Sequence, residues 1–537
     1  MKNRSDKPSS TPPSYVDDMV KSVQRDPEYG YNGTIHAIRR TEYDYLGGMS
    51  LIDPSDNLDT IYMDHAGATL YPTSIVHDHC EDLTSHLLSN PHSQSPSSIA
   101  TGDRVTAIRQ RVLQAFGANP EYFDIVFVAN ATAGMKLVAE GFAGSSNGFQ
   151  YKYLNDVHTS IIGAGQLAAT RQSLSEDEVE GWLRAGNVSK NSKEEMRPGL
   201  FVYPAQSNLH GRRFSLDWPA KVREAHPGWY CLLDAASYLT TTPLDFSNVP
   251  MAPDFTIMSF YKIFGYPDLG AVIVKKESGH MLVQRRFFGG GSRAALTVDG
   301  FNIPRRTLHE ALEDGTLPFH TILALEHAFN NFGRLYGAHI RVARHASLVA
   351  RLAHNILSSL HYPNGRPVCK IYSTLGHGPI VAFNLYAENG SAIGYVGFER
   401  ISSLRGFALR TGGMCNPGGI RTACEISEDD FMGLHKMGKE CGDHIDIVDG
   451  RNVGIIRISF GACSTIEDVL TFVDFIRETF MVKRRVTTGM QLTSLMNKVS
   501  TGVKVSTGVL SKADIFRINR KASSFELHAH SGEFMAL

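Results

Sequence analysis

Trp229-Tyr230-Cys231-Leu232-Leu233-Asp234 and Phe255-Thr256-Ile257-Met258-Ser259-Phe260-Tyr261-Lys262 decide how this chain folds. Each is a short apolar run that closes on polar or ionisable residues, the pattern of a strand covered on both faces. Upstream and downstream, residues 125–129, 200–203 and 270–274 repeat that pattern, and residues 100–116 and 133–142 show helical spacing between them. From Ile61 onward, apolar runs alternating with helices predict an α/β fold with a mainly parallel sheet. Residues 317–360 turn helical, with Ile322, Leu323, Leu325, Ala328 and Phe329 recurring along one face. They lead into a smaller α/β region. There 380–385, 406–409 and 454–460 read as strands, and 394–404 and 466–480 as helices. The expected organisation is a flexible leader over 1–35, a large domain over 36–330, a small C-terminal domain over 331–480 and a basic, loose tail over 481–537.

Bulk composition excludes several classes. The chain has 537 residues, is 42% hydrophobic and carries a formal net charge of -1. That is ample for a large core, and it offers no bulk electrostatic case for nucleic acid or an anionic membrane. Seven cysteines are scattered without paired spacing or a Cys/His metal pattern, which fits a reducing compartment. Residues 1–18 are polar and lack a signal-peptide core, and no run approaches the roughly 18 apolar residues of a membrane span. The expectation is a soluble, cytoplasmic protein.

Lys262 is the most chemically loaded residue. A lysine drawn out of water loses its proton more easily, and a free amine condenses with an aldehyde. The aldehyde that proteins hold in this way is pyridoxal phosphate, bound through a Schiff-base lysine and an acid on its pyridine nitrogen. Asp234, at the carboxyl end of an apolar run, is the matching acid, or alternatively a helix cap for Asp234-Ala235-Ala236-Ser237. Lys262 read alone is equally a lysine snorkelling to water. Val128-Ala129-Asn130-Ala131-Thr132-Ala133-Gly134 joins a strand to a helix through small residues, a possible phosphate seat in which Thr132 adds a hydroxyl. Gly289-Gly290-Gly291-Ser292 is a second glycine-rich turn, either a hinge or another phosphate contact. His158 follows a strand and either stacks on a flat ring or is one of 22 ordinary histidines. Cys415 lies in Arg410-Thr411-Gly412-Gly413-Met414-Cys415-Asn416-Pro417-Gly418-Gly419, whose glycines and proline predict a mobile, exposed loop. A thiol there suits a travelling nucleophile, or is without chemical consequence. Arg410 or Arg457 is a candidate clamp for a substrate carboxylate, or a surface charge.

Six motifs in one order resemble a known family. They are 62–72 (Tyr62-Met63-Asp64-His65-Ala66-Gly67-Ala68-Thr69-Leu70-Tyr71-Pro72), Asn90-Pro91-His92-Ser93, Pro204-Ala205-Gln206-Ser207-Asn208, the Lys262 segment, Phe287-Phe288-Gly289-Gly290-Gly291 and the Cys415 loop. Over residues 60–480 the chain looks like the N-terminal, cysteine desulfurase-like domain of molybdenum cofactor sulfurases. These are class V aminotransferases, PLP-dependent transferases of fold type I. Full-length members carry a further molybdenum-cofactor-binding domain, and the about 57 residues that follow here are too few for one.

The resemblance implies roles. Lys262 would carry pyridoxal 5'-phosphate, Asp234 would pair with its ring nitrogen, and His158 would stack on the ring. Ala131, Thr132 and Ser259 would hold the phosphate, joined by Ser292 from a partner subunit in a homodimer. Asn208 would touch the cofactor oxygen or the substrate, and Arg457 the carboxylate of L-cysteine. Cys415 would take the substrate sulfur as a persulfide and release alanine, the sulfur passing to the molybdenum cofactor, another protein or a small molecule. Ser237 departs from the glutamine usual in general cysteine desulfurases. The competing expectations are a related PLP-dependent lyase or aminotransferase acting on another amino acid, and a non-catalytic scaffold that retains the fold.

Overall fold

A computed structural model describes residues 13–47, 59–186, 197–440 and 442–481. Its main sheet has seven strands: β1 (Phe123–Val128), β2 (Gln150–Leu154), β3 (Thr170–Leu174), β4 (Gly199–Pro204), β5 (Trp229–Asp234), β6 (Phe255–Ser259) and β7 (Gly270–Lys275). Their spatial order is β1-β7-β6-β5-β4-β2-β3. Every pairing from β6 to β3 is parallel, and β7 runs antiparallel to both β6 and β1. All strands but β7 therefore end at one edge, the edge where open α/β sheets hold ligands. Register completes the alignment: Pro204, Asp234 and Ile257 stand side by side, as do Val128, Gly270 and Ser259.

Residues of β4 and β7 are buried throughout, which is why they read as unbroken apolar runs rather than alternations. Helices α2 (Pro96–Ala115) and α3 (Ala131–Ala143) lie where helical spacing predicted them. Ser95 and Asn130 cap them by accepting the N–H groups of Ser98 and Ala133, so each starts two to four residues before its apolar periodicity begins. Two short helices serve the site, α4 (Thr159–Ala164) and α5 (Phe260–Phe264). The long helices α6 (Phe319–Tyr336) and α7 (His339–Ser359) lead to a second sheet whose main path is β8 (Cys369–Ile371), β9 (Ile380–Tyr386), β10 (Arg410–Gly412) and β11 (Ile455–Ser459), with the short strand Ala392–Ile393 paired to β9 beside it. Its order is β8-β9-β11-β10. Helix α8 (Pro417–Cys424) follows the Cys415 loop and α9 (Ile466–Ile476) follows β11. Both sheets belong to one compact unit that ends at Met481.

The leader is a correction. Residues Pro13–Arg25 form a helix, α1, packed on α7 with Val16 and Val23 buried. Val16, Met19, Val20 and Val23 recur at i, i+3, i+4 and i+7, so they line one face of the helix, and Met19 and Val20 are partly buried against the same cluster. The sequence therefore carries a helical apolar face here, behind a Ser-, Pro- and Lys-rich start. From residue 482 the expected tail lies outside the described residues, as do residues 1–12.

Gly270 is where the sheet needs glycine. A Cβ there would sit 2.5 Å from the Asn130 Cα and 2.7 Å from the Met258 carbonyl oxygen. Gly270→Ala is therefore expected to destabilise the fold by about 1–3 kcal/mol. Urea unfolding measures this, and a neutral result would show that the start of α3 can retreat.

Three buried histidines set an acid limit. Burial pushes His65 down to about 3, and His339 and His345 down to about 4. His345 accepts the Gly30 N–H at Nδ1 (3.0 Å) and donates from Nε2 to the Ser464 carbonyl (2.9 Å), which leaves no room for a second proton. Unfolded histidines titrate near 6.5, so between that pH and about 4 the unfolded chain binds more protons. Stability is therefore expected to fall as pH drops from 6.5 towards 4. His345→Gln should flatten that slope by about 1 kcal/mol per pH unit on average in urea titrations from pH 7 to 5.

Candidate active site

A cavity of about 170 Å³ opens at the strand-end edge. It is lined by Ala131, Thr132, His158, Asn208, Asp234, Ser259 and Lys262, all named from sequence, and by Asn130, Ser160, Pro204, Gln206, Ala236, Ser237 and Tyr261. Lys262 sits in α5, one turn past the end of β6. Its Nζ makes no hydrogen bond or ion pair among the described residues. Burial lowers its pKa, Asp234 counteracts this, and the positive charges of Arg457 and Arg410 lower it further. The result is an amine with its lone pair available more often than a surface lysine's.

Asp234 ends β5 and is nearly buried. Its Oδ1 accepts the Ala236 N–H at 3.0 Å, and Oδ2 has no hydrogen-bond partner among the described residues. The helix-cap alternative holds only in this local turn. His158 follows β2, and its Nδ1 accepts the Ser160 N–H at 3.2 Å, which leaves the proton of the neutral ring on Nε2. Burial lowers the pKa of His158, Asp234 opposes that, and Lys262 and Arg410 reinforce it, so the ring is neutral at pH 7.

The opposite wall is the first turn of α3. There Ala131 N–H donates to Ser259 Oγ (3.0 Å) and Ala133 N–H to Asn130 Oδ1 (3.0 Å). The Thr132 N–H has no partner among the described residues, and its hydroxyl stands beside it. Ser259 Oγ, filled as an acceptor, keeps its own proton to donate. A free N–H and two hydroxyls at the positive end of a 13-residue helix are a donor set that could hold a phosphate. Phosphate seat, unpartnered carboxylate oxygen, flat neutral ring and desolvated amine in one cavity fit pyridoxal phosphate.

Gln206 is the residue the sequence reading missed. It is buried, lines the cavity and donates from Nε2 to the Ser237 carbonyl and hydroxyl, both at 3.2 Å. An amide is thus present beside Ser237, supplied from the end of β4. Its place in Pro204-Ala205-Gln206-Ser207-Asn208, a quoted motif, was the available signal.

Cys415, Arg457 and Ser292 are not among the lining residues. Ser292 is buried and donates to the Gly289 carbonyl at 2.7 Å. Arg457, on β11, is 2% exposed; its Nη1 donates to the Asn208 carbonyl at 2.7 Å and its Nη2 pairs with Asp64. Burial lowers its pKa despite Asp64. Arg410 stands opposite Arg457 in the β10–β11 register, is exposed and has no ion pair among the described residues.

The Cys415 loop is pinned rather than free. Thr159 N–H donates to the Cys415 carbonyl (2.8 Å), and Asn208 Nδ2 to the Met414 carbonyl (2.7 Å). Asn416 donates to Asp156 and to Asn208 Oδ1, and is fully buried. A Cβ at Gly418 would lie 2.0 Å from the Asn155 carbonyl oxygen, so that glycine allows close approach rather than motion. Met414 and Cys415 both adopt left-handed backbone, φ 53° and 52°, a strain on the order of 1–2 kcal/mol per residue. Cys415 itself is half-buried.

Comparison with known proteins now bears on this geometry. The family model described as Aminotransferase class-V matches residues 61–472. The chain belongs to the class-V aminotransferase family. It is 43% identical to the molybdenum cofactor sulfurase of Botryotinia fuckeliana, over 84% of this chain and 56% of that protein. It is 44% identical to that of Aspergillus terreus, over 84% and 55%. The chain spans about half the length of the curated relatives it matches. The cysteine desulfurase of Thermococcus onnurineus shares its fold at a TM-score of 0.61 and 17% identity, covering 83% of this chain and 98% of that one. A cystine C-S lyase, C-DES, does so at 0.57 and 15%, covering 78% and 97%. The class-V chain thus has the fold type I architecture of PLP-dependent transferases.

Asn416→Ala removes two side-chain bonds and the cap it gives Gly419 N–H. The expected cost is about 1–2 kcal/mol, with faster amide exchange over residues 413–419. Unchanged exchange there would show that the loop is held by other contacts.

Proposed function

We propose that this chain is a PLP-dependent cysteine desulfurase that converts L-cysteine to L-alanine and carries the sulfur as a persulfide on Cys415. The observation that supports it most is the meeting of Lys262, Asp234 and His158 around one cavity with a phosphate seat at its far wall. When bound, pyridoxal phosphate supplies an electron sink for a carbanion at the substrate Cα.

The chain's own residues supply the rest. Thr132 and Ser259 would hold the cofactor's phosphate, Ala131 N–H orients the Ser259 hydroxyl, and Oδ2 of Asp234 would serve as the acid partner of the ring nitrogen. His158 would offer its flat ring for stacking in the same cavity. Lys262, whose pKa burial lowers, takes and returns a proton at Nζ. Asn208 bridges this wall to the Cys415 loop through Met414 and Asn416. Arg410 is the free guanidinium for the substrate carboxylate, and Arg457 backs it from the facing strand position. The overall exchange balances: cysteine plus the Cys415 thiol gives alanine plus a Cys415 persulfide. The names of the curated relatives support a molybdenum cofactor as the final acceptor. The chain is also proposed to act as a homodimer, because Phe287, Leu296, Phe301 and Ile303 expose apolar surface around the Gly289–Ser292 turn.

Cys415→Ala is expected to keep the yellow absorbance of bound cofactor and to lose sulfide release from L-cysteine with a reductant, while Lys262→Ala should lose both. Alanine must accompany the sulfide in the parent protein. Pyruvate and ammonia instead would mark a β-eliminating lyase. Arg410→Ala should raise KM for L-cysteine about tenfold or more, the worth of one charge-assisted hydrogen bond. An unchanged KM would move the carboxylate to Arg457. Light scattering that finds a fully active monomer would refute the dimer.

A further inference from the structure

A second concave site of about 130 Å³ lies between α7, the turn before β9 and the loop after β4. A single buried water needs only about 15 Å³. Its polar lining includes Arg213, Arg351, His354, His377, Ser347, Ser373 and Thr374, and no aspartate or glutamate lines it among the described residues.

Its arginines lack counter-charges. Arg213 is half-buried. Its Nε donates to Gln206 Oε1 (3.1 Å), its Nη2 to Thr242 Oγ1 (2.6 Å), and its guanidinium lies 5.0 Å over the Tyr238 ring. None of these neighbours is an anion, and Nη1 has no partner among the described residues. Arg351 is exposed and has neither hydrogen bond nor ion pair among the described residues. Glu176, whose charge reaches His377, is already engaged by Arg212. A guanidinium drawn out of water without a carboxylate is costly, and an anion beside it removes that cost.

The remaining donors fit the same ligand. His377 Nδ1 accepts the Arg213 backbone N–H at 3.0 Å, so the proton of the neutral ring is on Nε2. Thr374 and Ser347 add hydroxyls, and Gly376, at φ 89°, turns the main chain around the rim. The whole guanidinium of Arg351, the open Nη1 of Arg213 and several neutral donors match a dianion with three or four oxygens better than a single carboxylate.

We propose that this cleft binds the phosphate group of a small-molecule ligand. It is separate from the phosphate seat of α3, and the proposal does not rest on the catalytic reading. The cleft touches the catalytic cavity through one side chain, since the Gln206 amide that Arg213 grips also lines that cavity.

The test uses protein loaded with pyridoxal phosphate, so that the first phosphate seat is filled. Inorganic phosphate and, separately, acetate are titrated calorimetrically at fixed ionic strength into the parent, Arg351→Gln and Arg351→Lys. Arg351 is exposed, so both variants should melt like the parent in chloride. The expected result is phosphate binding that is at least about tenfold weaker in Arg351→Gln, intermediate in Arg351→Lys, and tighter than acetate throughout. Equal phosphate affinity in Arg351→Gln places the ion elsewhere and overturns the proposal. Acetate binding as tightly as phosphate overturns the phosphate assignment.

Discussion

An amine removed from water at the mouth of a parallel sheet is the constraint from which the rest of the structure follows. Lys262 has no ion pair among the described residues, and the charges of Arg457 and Arg410 act on it. An unpaired lysine in such a place is costly unless its neutral form is used. Everything beside it suits that use. Asp234 keeps one carboxylate oxygen free, and Ser259 and Thr132 keep donors directed to the same cavity. The sheet makes this possible by register: Asp234 on β5 stands beside Ile257 on β6, two residues before Ser259.

The second sheet acts through Arg457 in the middle of β11 and through the loop after β10. Arg457 reaches from β11 to the Asn208 carbonyl, and Asn208 in turn holds the Met414 carbonyl. The Cys415 loop is thereby fixed to both sides of the cavity, against the turn after β2 and the loop after β4. Asp156 anchors it from beneath. Burial would raise its pKa, but His210, Asn416 and Ser207 together hold its carboxyl below the usual range. Two successive left-handed residues then store backbone strain at the thiol itself.

Much of this was legible without coordinates. Fully covered strands show as unbroken apolar runs, so β4, β5, β6 and β7 were found to within a residue or two. Residues whose chemistry is unusual, Lys262 and Asp234, were visible because they end such runs. What stayed hidden depended on partners distant in sequence. Gln206 looked like an ordinary polar residue until Ser237 was beside it. The glycines of 412–419 suggested mobility, whereas Gly418 is small because the Asn155 carbonyl lies against it. Helix α1 carried a helical apolar face, Val16, Met19, Val20 and Val23, but its Ser-, Pro- and Lys-rich approach read as a flexible leader.

The amino-acid order by itself determined the α/β class, the strand ends that carry ionisable groups and the chemical kinds present. Those properties are local: periodicity and burial of a strand are written in adjacent residues. Tertiary structure alone decided which arginine is free, that the thiol loop is docked, and that Arg213 and Arg351 share a cleft without an acid. Charge compensation and desolvation depend on neighbours brought together across the whole chain, and no short window of sequence contains them.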